Sequence, residues 1–120
     1  MPRVLIVDDS PADLRELTAL LARRGYEVLQ ASDAESGLLA ARDQQPDLVL
    51  MDIVLPGTNG FQATRQLSRA MGTRHIPVVL VSNKDQAVDR IWGERQGAKG
   101  YVTKPVREAE LFAAIGQALR

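Results

Sequence analysis

Five short apolar runs, each followed by a stretch with helical spacing, constrain this chain more than any other feature. The runs are Val4–Val7, Tyr26–Ala31, Leu48–Met51, Val78–Val81 and Tyr101–Thr103. The stretches between them carry apolar or small residues three and four apart. They are Leu14, Leu17 and Leu21; Gly37, Leu38 and Ala41; Phe61, Thr64, Leu67 and Met71; Val88, Ile91 and Trp92; and Leu111, Phe112, Ile115 and Leu119. Parallel strands need a crossover between them, and a helix of this length supplies one. The alternation therefore predicts an α/β domain, a (βα)5 parallel sheet with helices on both faces.

The runs differ from one another. VLIV, LVLM and VVLV are continuously apolar, as strands buried on both faces are. Tyr26–Ala31 and Tyr101–Thr103 are interrupted by polar residues, which suits sheet edges. Strands 1, 3 and 4 are thus expected at the centre, with 2 and 5 outside. The flavodoxin-like, doubly wound order 2-1-3-4-5 meets this demand, and we adopt it from known sheets of this kind. The 120 residues read as one domain, 1–120, with no internal linker or repeat. Ser10, Pro11 and Asp13 form an N-cap, a first-turn proline and an acidic N3 residue. Gly25 and Gly97 stand where helices 1 and 4 need a left-handed residue. Arg107 precedes helix 5 in place of a capping side chain, an end expected to lack about 1 kcal/mol of stabilisation.

Ligand sites of open parallel sheets lie beyond the carboxyl ends of the strands. The residues just past each strand are Asp8 and Asp9, Asp52, Ser82 and Lys104, with only Ser32 and Asp33 after strand 2. Adjacent strands lie about 4.8 Å apart, so the acids of strands 1 and 3 should approach to roughly 5 Å. Crowded carboxylates raise one another's pKa unless a cation neutralises them. Oxygen donors without His or Cys suit Mg²⁺, with Mn²⁺ also admissible, rather than zinc. There is no cysteine for a disulfide or thiolate site, and the lone His75, in the loop before Pro77, is neither a metal centre nor a phosphodonor. Fifteen basic residues balance fifteen acidic ones, which gives no field for nucleic acid or an anionic membrane. No signal peptide or apolar span is visible, so the expectation is a soluble, cytoplasmic protein.

VLIVDDS, LVLMDIVLPGTNG, PVVLVSNK and GAKGYVTKP, in this order, resemble the receiver domains of two-component response regulators, the CheY-like group. The resemblance spans essentially the whole chain and implies a stand-alone, monomeric receiver. It implies that Asp52 is the phosphoacceptor, taking a phosphoryl group from a phosphohistidine on a CheA-like sensor histidine kinase. It implies that Asp9 ligates Mg²⁺ directly, that Asp8 acts through water, and that the backbone carbonyl of Val54 completes the protein ligands. Lys104 and Ser82 would bind the phosphoryl oxygens, and Tyr101 would be the aromatic switch that fills space behind Ser82. The coupled surface is that of helix 4, strand 5 and helix 5. NGFQATRQLSR and DRIWGERQGAKGYVTKP further resemble receivers of type IV pilus, twitching-motility chemosensory systems, which implies a downstream motility partner.

The chemistry of the residues agrees with these roles. Phosphoryl transfer needs charge neutralisation and in-line positioning more than covalent assistance. Apolar Val54, two residues after Asp52, cannot orient a hydrolytic water, so slow self-dephosphorylation is expected. The resemblance implies that Asn83, where a small residue is common, tightens access to the phosphate, and that Val54 and Lys84 occupy positions that tune phosphoryl lifetime. Trp92 is expected in the core with Val88 and Ile91, an exposed partner-binding tryptophan being the alternative, and Arg65, Arg69, Arg90 and Arg95 on solvated faces. Within the receiver reading, a chemotaxis or phototaxis role, or a phosphate sink, is the alternative pathway. An aspartyl-nucleophile phosphohydrolase would need an acid where Val54 stands. A flavin binder would not place Asp8 and Asp9 against a phosphate, and a pseudo-receiver would not keep Asp9, Asp52 and Lys104 together.

Overall fold

The computed structural model describes residues 2–120. Five strands alternate with five helices: β1 (Arg3–Val7), α1 (Pro11–Arg23), β2 (Glu27–Ala31), α2 (Ala34–Gln44), β3 (Leu48–Met51), α3 (Gly60–Arg69), β4 (Val78–Ser82), α4 (Ala87–Arg95), β5 (Gly100–Thr103) and α5 (Glu108–Ala118). All pairings are parallel and the order is β2-β1-β3-β4-β5, as expected.

The continuously apolar strands divide their side chains between two cores, because successive residues of a strand point to opposite faces. Leu5, Val7, Val49, Met51, Val78 and Leu80 pack on one face with Ala34 and Ala41 of α2 and Ala63 and Leu67 of α3. Val4, Ile6, Leu48, Leu50, Val79, Val81 and Val102 pack on the other with Leu17, Leu20 and Leu21 of α1 and Leu111 and Ile115 of α5. No described helix is long and apolar enough to cross a membrane.

The local signals operate as read. Ser10 accepts a hydrogen bond from the Asp13 amide, Gly25 and Gly97 adopt φ of 85° and 106°, and Arg107 provides no side-chain cap. Several readings need correction. Tyr26 precedes β2 rather than starting it, Ser82 is the last residue of β4 rather than the first beyond it, and Leu119 caps α5 from outside. Met71 lies beyond the end of α3 and is exposed.

The largest difference concerns α4. Val88, Ile91 and Trp92 are 66%, 53% and 48% exposed, and the helix buries only Gly93. A Cβ on Gly93 would lie 2.6 Å from Leu80 Cδ1, so α4 meets the sheet through its glycine and turns the apolar trio outward. Helical spacing identifies a stripe but does not say which stripe faces in.

Candidate functional site

The backbone ladder continues past the strand ends and sets the site. The Asp8 amide donates to the Ala31 carbonyl at 3.0 Å, the Asp52 amide to Val7 at 2.9 Å, and the Lys104 amide to Ser82 at 2.8 Å. Asp8, Asp52 and Lys104 are thereby each held in register by the neighbouring strand. Asp8 is buried and its neighbour Asp9 exposed, as alternation along one extended segment requires, and Asp52, past β3, is buried as well.

Carboxylate oxygens of Asp8, Asp9 and Asp52 all lie within 4.8 Å of one another. Lys104 Nζ donates to Asp8 Oδ2 at 2.8 Å and to Asp52 Oδ2 at 3.3 Å. It also donates to Asp13 Oδ2 at 2.8 Å, a partner that sequence reading placed only as an N3 residue of α1. The remaining Asp8 oxygen accepts from the Ser10 amide at 2.9 Å, and Asp52 Oδ1 accepts from the Ile53 amide at 2.7 Å. Among the described residues the Asp9 carboxylate has no hydrogen-bond partner.

Burial pushes the Asp52 carboxyl above the usual carboxylate range, as does the Asp8 charge, against the opposing pull of Lys104. Burial works to lower the Lys104 pKa. Hydrogen bonds to Asp13 and Asp8 and the charges of Asp52 and Asp8 outweigh it, and the ammonium is held well above the ordinary lysine value. One ammonium among the four carboxylates of Asp8, Asp9, Asp13 and Asp52 leaves the cluster negative. An all-oxygen donor set of this charge fits a hard divalent cation, which Asp8, Asp9 and Asp52 could hold.

Ser82 is fully buried beside the cluster, and its Oγ accepts from the Lys84 amide at 3.3 Å. Val54 is 60% exposed, next to Asp52. Tyr101 packs against the core, and its hydroxyl donates to the Lys84 carbonyl, so the phenol already rests on the loop that follows Ser82. Burial and the Asp89 carboxylate push its pKa up to about 12 against the Arg90 charge. Arg90 is not merely a solvated residue. Its guanidinium lies 4.9 Å from the Tyr101 ring centroid and donates to Thr103 Oγ1 at 3.0 Å. His75 bonds Gln45 Oε1 at 2.9 Å, away from this site.

The profile of the response regulator receiver domain matches residues 4–116. The chain belongs to the response regulator receiver family. It is 53% identical over 119 residues to Protein PilH of Pseudomonas aeruginosa, covering 99% of this chain and 98% of that protein. Among solved structures, chemotaxis protein CheY4 of Vibrio cholerae superposes with a TM-score of 0.92 at 25% identity, covering 99% of both chains. The receiver domain of sensor histidine kinase PA1611 of Pseudomonas aeruginosa superposes with a TM-score of 0.89 at 28% identity, covering 98% and 97%. That receiver was solved with a magnesium ion coordinated in its active site cleft. The chain is therefore a CheY-like receiver domain of two-component signalling, and the strand-end cluster occupies the edge where such sheets carry their sites.

Proposed function

We propose that this receiver is a phosphoacceptor switch in which Asp52 takes a phosphoryl group from the phosphohistidine of a CheA-like sensor kinase. An Asp52 carboxylate oxygen attacks phosphorus, the P–N bond breaks, and the imidazole keeps the electron pair. Asp8, Asp9, Asp52 and the Val54 backbone carbonyl would hold Mg²⁺, which supplies positive charge where the phosphoryl oxygens gather it. Lys104 supplies a second positive charge, and the Ser82 hydroxyl donates to a phosphoryl oxygen.

The observation that carries this reading is the gathering of Asp8, Asp9 and Asp52 within 4.8 Å of one another, with Lys104 bonded to Asp8 and Asp52. The acyl phosphate adds about −1.5 to −2 charge, and drawing Ser82 toward it changes the loop on which Tyr101 rests. The readout is then the surface of α4, β5 and α5, offered to a motility partner. Similarity to Protein PilH supports a role in type IV pilus motility.

Incubation with acetyl phosphate and Mg²⁺ tests the reading by mass spectrometry. A single phosphoryl adduct on Asp52, absent from Asp52→Asn and without Mg²⁺, is expected. Continuous turnover of the donor with no adduct would instead favour a hydrolase and overturn the proposal.

A further inference from the structure

The ammonium of Lys104 has three N–H donors, and three carboxylates occupy them: Asp8 and Asp13 at 2.8 Å and Asp52 at 3.3 Å. The side chain is 7% exposed, so no donor is left for water to claim readily. Phosphorylation turns the Asp52 carboxylate into an acyl phosphate, so the 3.3 Å bond passes to the phosphoryl group, and Lys104 can give that more highly charged group a second bond only if Asp8 or Asp13 yields.

The three partners are not equal. Asp8 and Asp52 have side chains only 2% and 9% exposed, whereas Asp13 is 34% exposed. Asp13 borders a cleft of about 210 Å³ with Asn83, Lys104 and Pro105, through which water can reach it. Its release costs least, because water replaces the bond it loses. Its place is not accidental either. The Ser10 side chain caps the Asp13 amide at 3.2 Å, which fixes the first turn of α1 with this carboxylate on Lys104.

We infer that Asp13 is a positioning residue, a resting counter-ion that occupies Lys104 until the phosphoryl group displaces it. This rests on the phosphoacceptor reading above. Asp13 also adds one negative charge beside the cluster, so it opposes a bound anion and favours a bound cation. Its removal should thus move the two affinities in opposite senses, which a general loosening of the site would not do.

The test compares wild type with Asp13→Asn and Asp13→Ser. Mg²⁺ binding is measured by calorimetry, and beryllium trifluoride, a phosphoryl mimic, is titrated at saturating Mg²⁺ by ¹⁹F NMR. Both variants should bind Mg²⁺ about three- to ten-fold more weakly and beryllium trifluoride about three- to ten-fold more tightly, the range for one unit charge about 3–6 Å away at water-like screening. Asp13→Glu should restore wild-type values, and Asp43→Asn, on exposed α2, should leave both constants alone. Any pattern other than opposite shifts overturns the inference. Wild-type protein that takes up no beryllium trifluoride would instead overturn the phosphoacceptor reading itself.

Discussion

Gly60 opens α3 directly behind the Asp52 backbone, and replacing it with alanine is the sharpest test of how the site is built. An ideal Cβ at this position would sit 2.0 Å from the Asp52 carbonyl oxygen and 2.7 Å from Ile53 Cα. Ordinary contact begins near 3.4 Å, so the segment carrying Asp52 must retreat by more than an ångström or α3 must lift away. Both obstacles are main chain and cannot rotate aside. The Gly60 amide also bonds the Ile53 carbonyl at 2.8 Å, which ties the two segments together. Overpacking of this kind costs about 1–3 kcal/mol, and the upper end applies where backbone must move. For a domain of this size that lowers Tm by roughly 10 °C. Gly116→Ala is the matched control. No atom lies within 4 Å of its Cβ, it sits inside α5, and the exchange should stabilise by about 0.5–1 kcal/mol. Thermal unfolding followed by circular dichroism should show the same substitution with opposite signs. A Gly60→Ala protein as stable as Gly116→Ala would refute the close approach of α3 to the Asp52 segment.

Two further predictions concern Tyr101 and Val54. The Tyr101 phenol, raised to about 12 by burial and Asp89, should ionise well after an ordinary tyrosine of pKa 10.0. The fold favours its neutral form, so this contribution to stability is complete below pH 10 and is lost as pH rises toward 12. Absorbance titration at alkaline pH should show a late step that Tyr101→Phe removes, and a titration complete near pH 10 would contradict it. Replacing exposed Val54 with asparagine places a polar group where it can hold water beside the acyl phosphate. Asp52 phosphate should then decay several-fold faster, and an unchanged decay rate would dismiss the idea that Val54 protects it.

Much of the architecture was legible because burial on both faces writes itself as unbroken apolar runs, in VLIV, LVLM and VVLV. The acidic cluster followed from those runs, since fixing where a strand ends fixes what lies past it. Asp13 was missed as a site residue because its partner, Lys104, lies 91 positions away, while its local role at N3 was already a sufficient account of it. Arg90 was read as solvated for the same reason, since a guanidinium packed on Tyr101 has no signature in its own helix. The apolar stripe of α4 misled because a glycine can be the buried side of a helix, and glycine carries no hydropathy to announce it. Met71 continued a spacing that the chain had already abandoned after Arg69.

α4 has one further consequence. The helix rests on the sheet through a single residue without a side chain, and its main polar tether is one arginine lying over Tyr101 and reaching Thr103. Lifting it would uncover little apolar area, so the work of displacement is small compared with that for α1 or α5, each anchored by buried leucine or isoleucine. A disturbance at the strand ends would meet less resistance at α4 than at α1 or α5, and α4 lies beside the aromatic ring that touches the loop after Ser82.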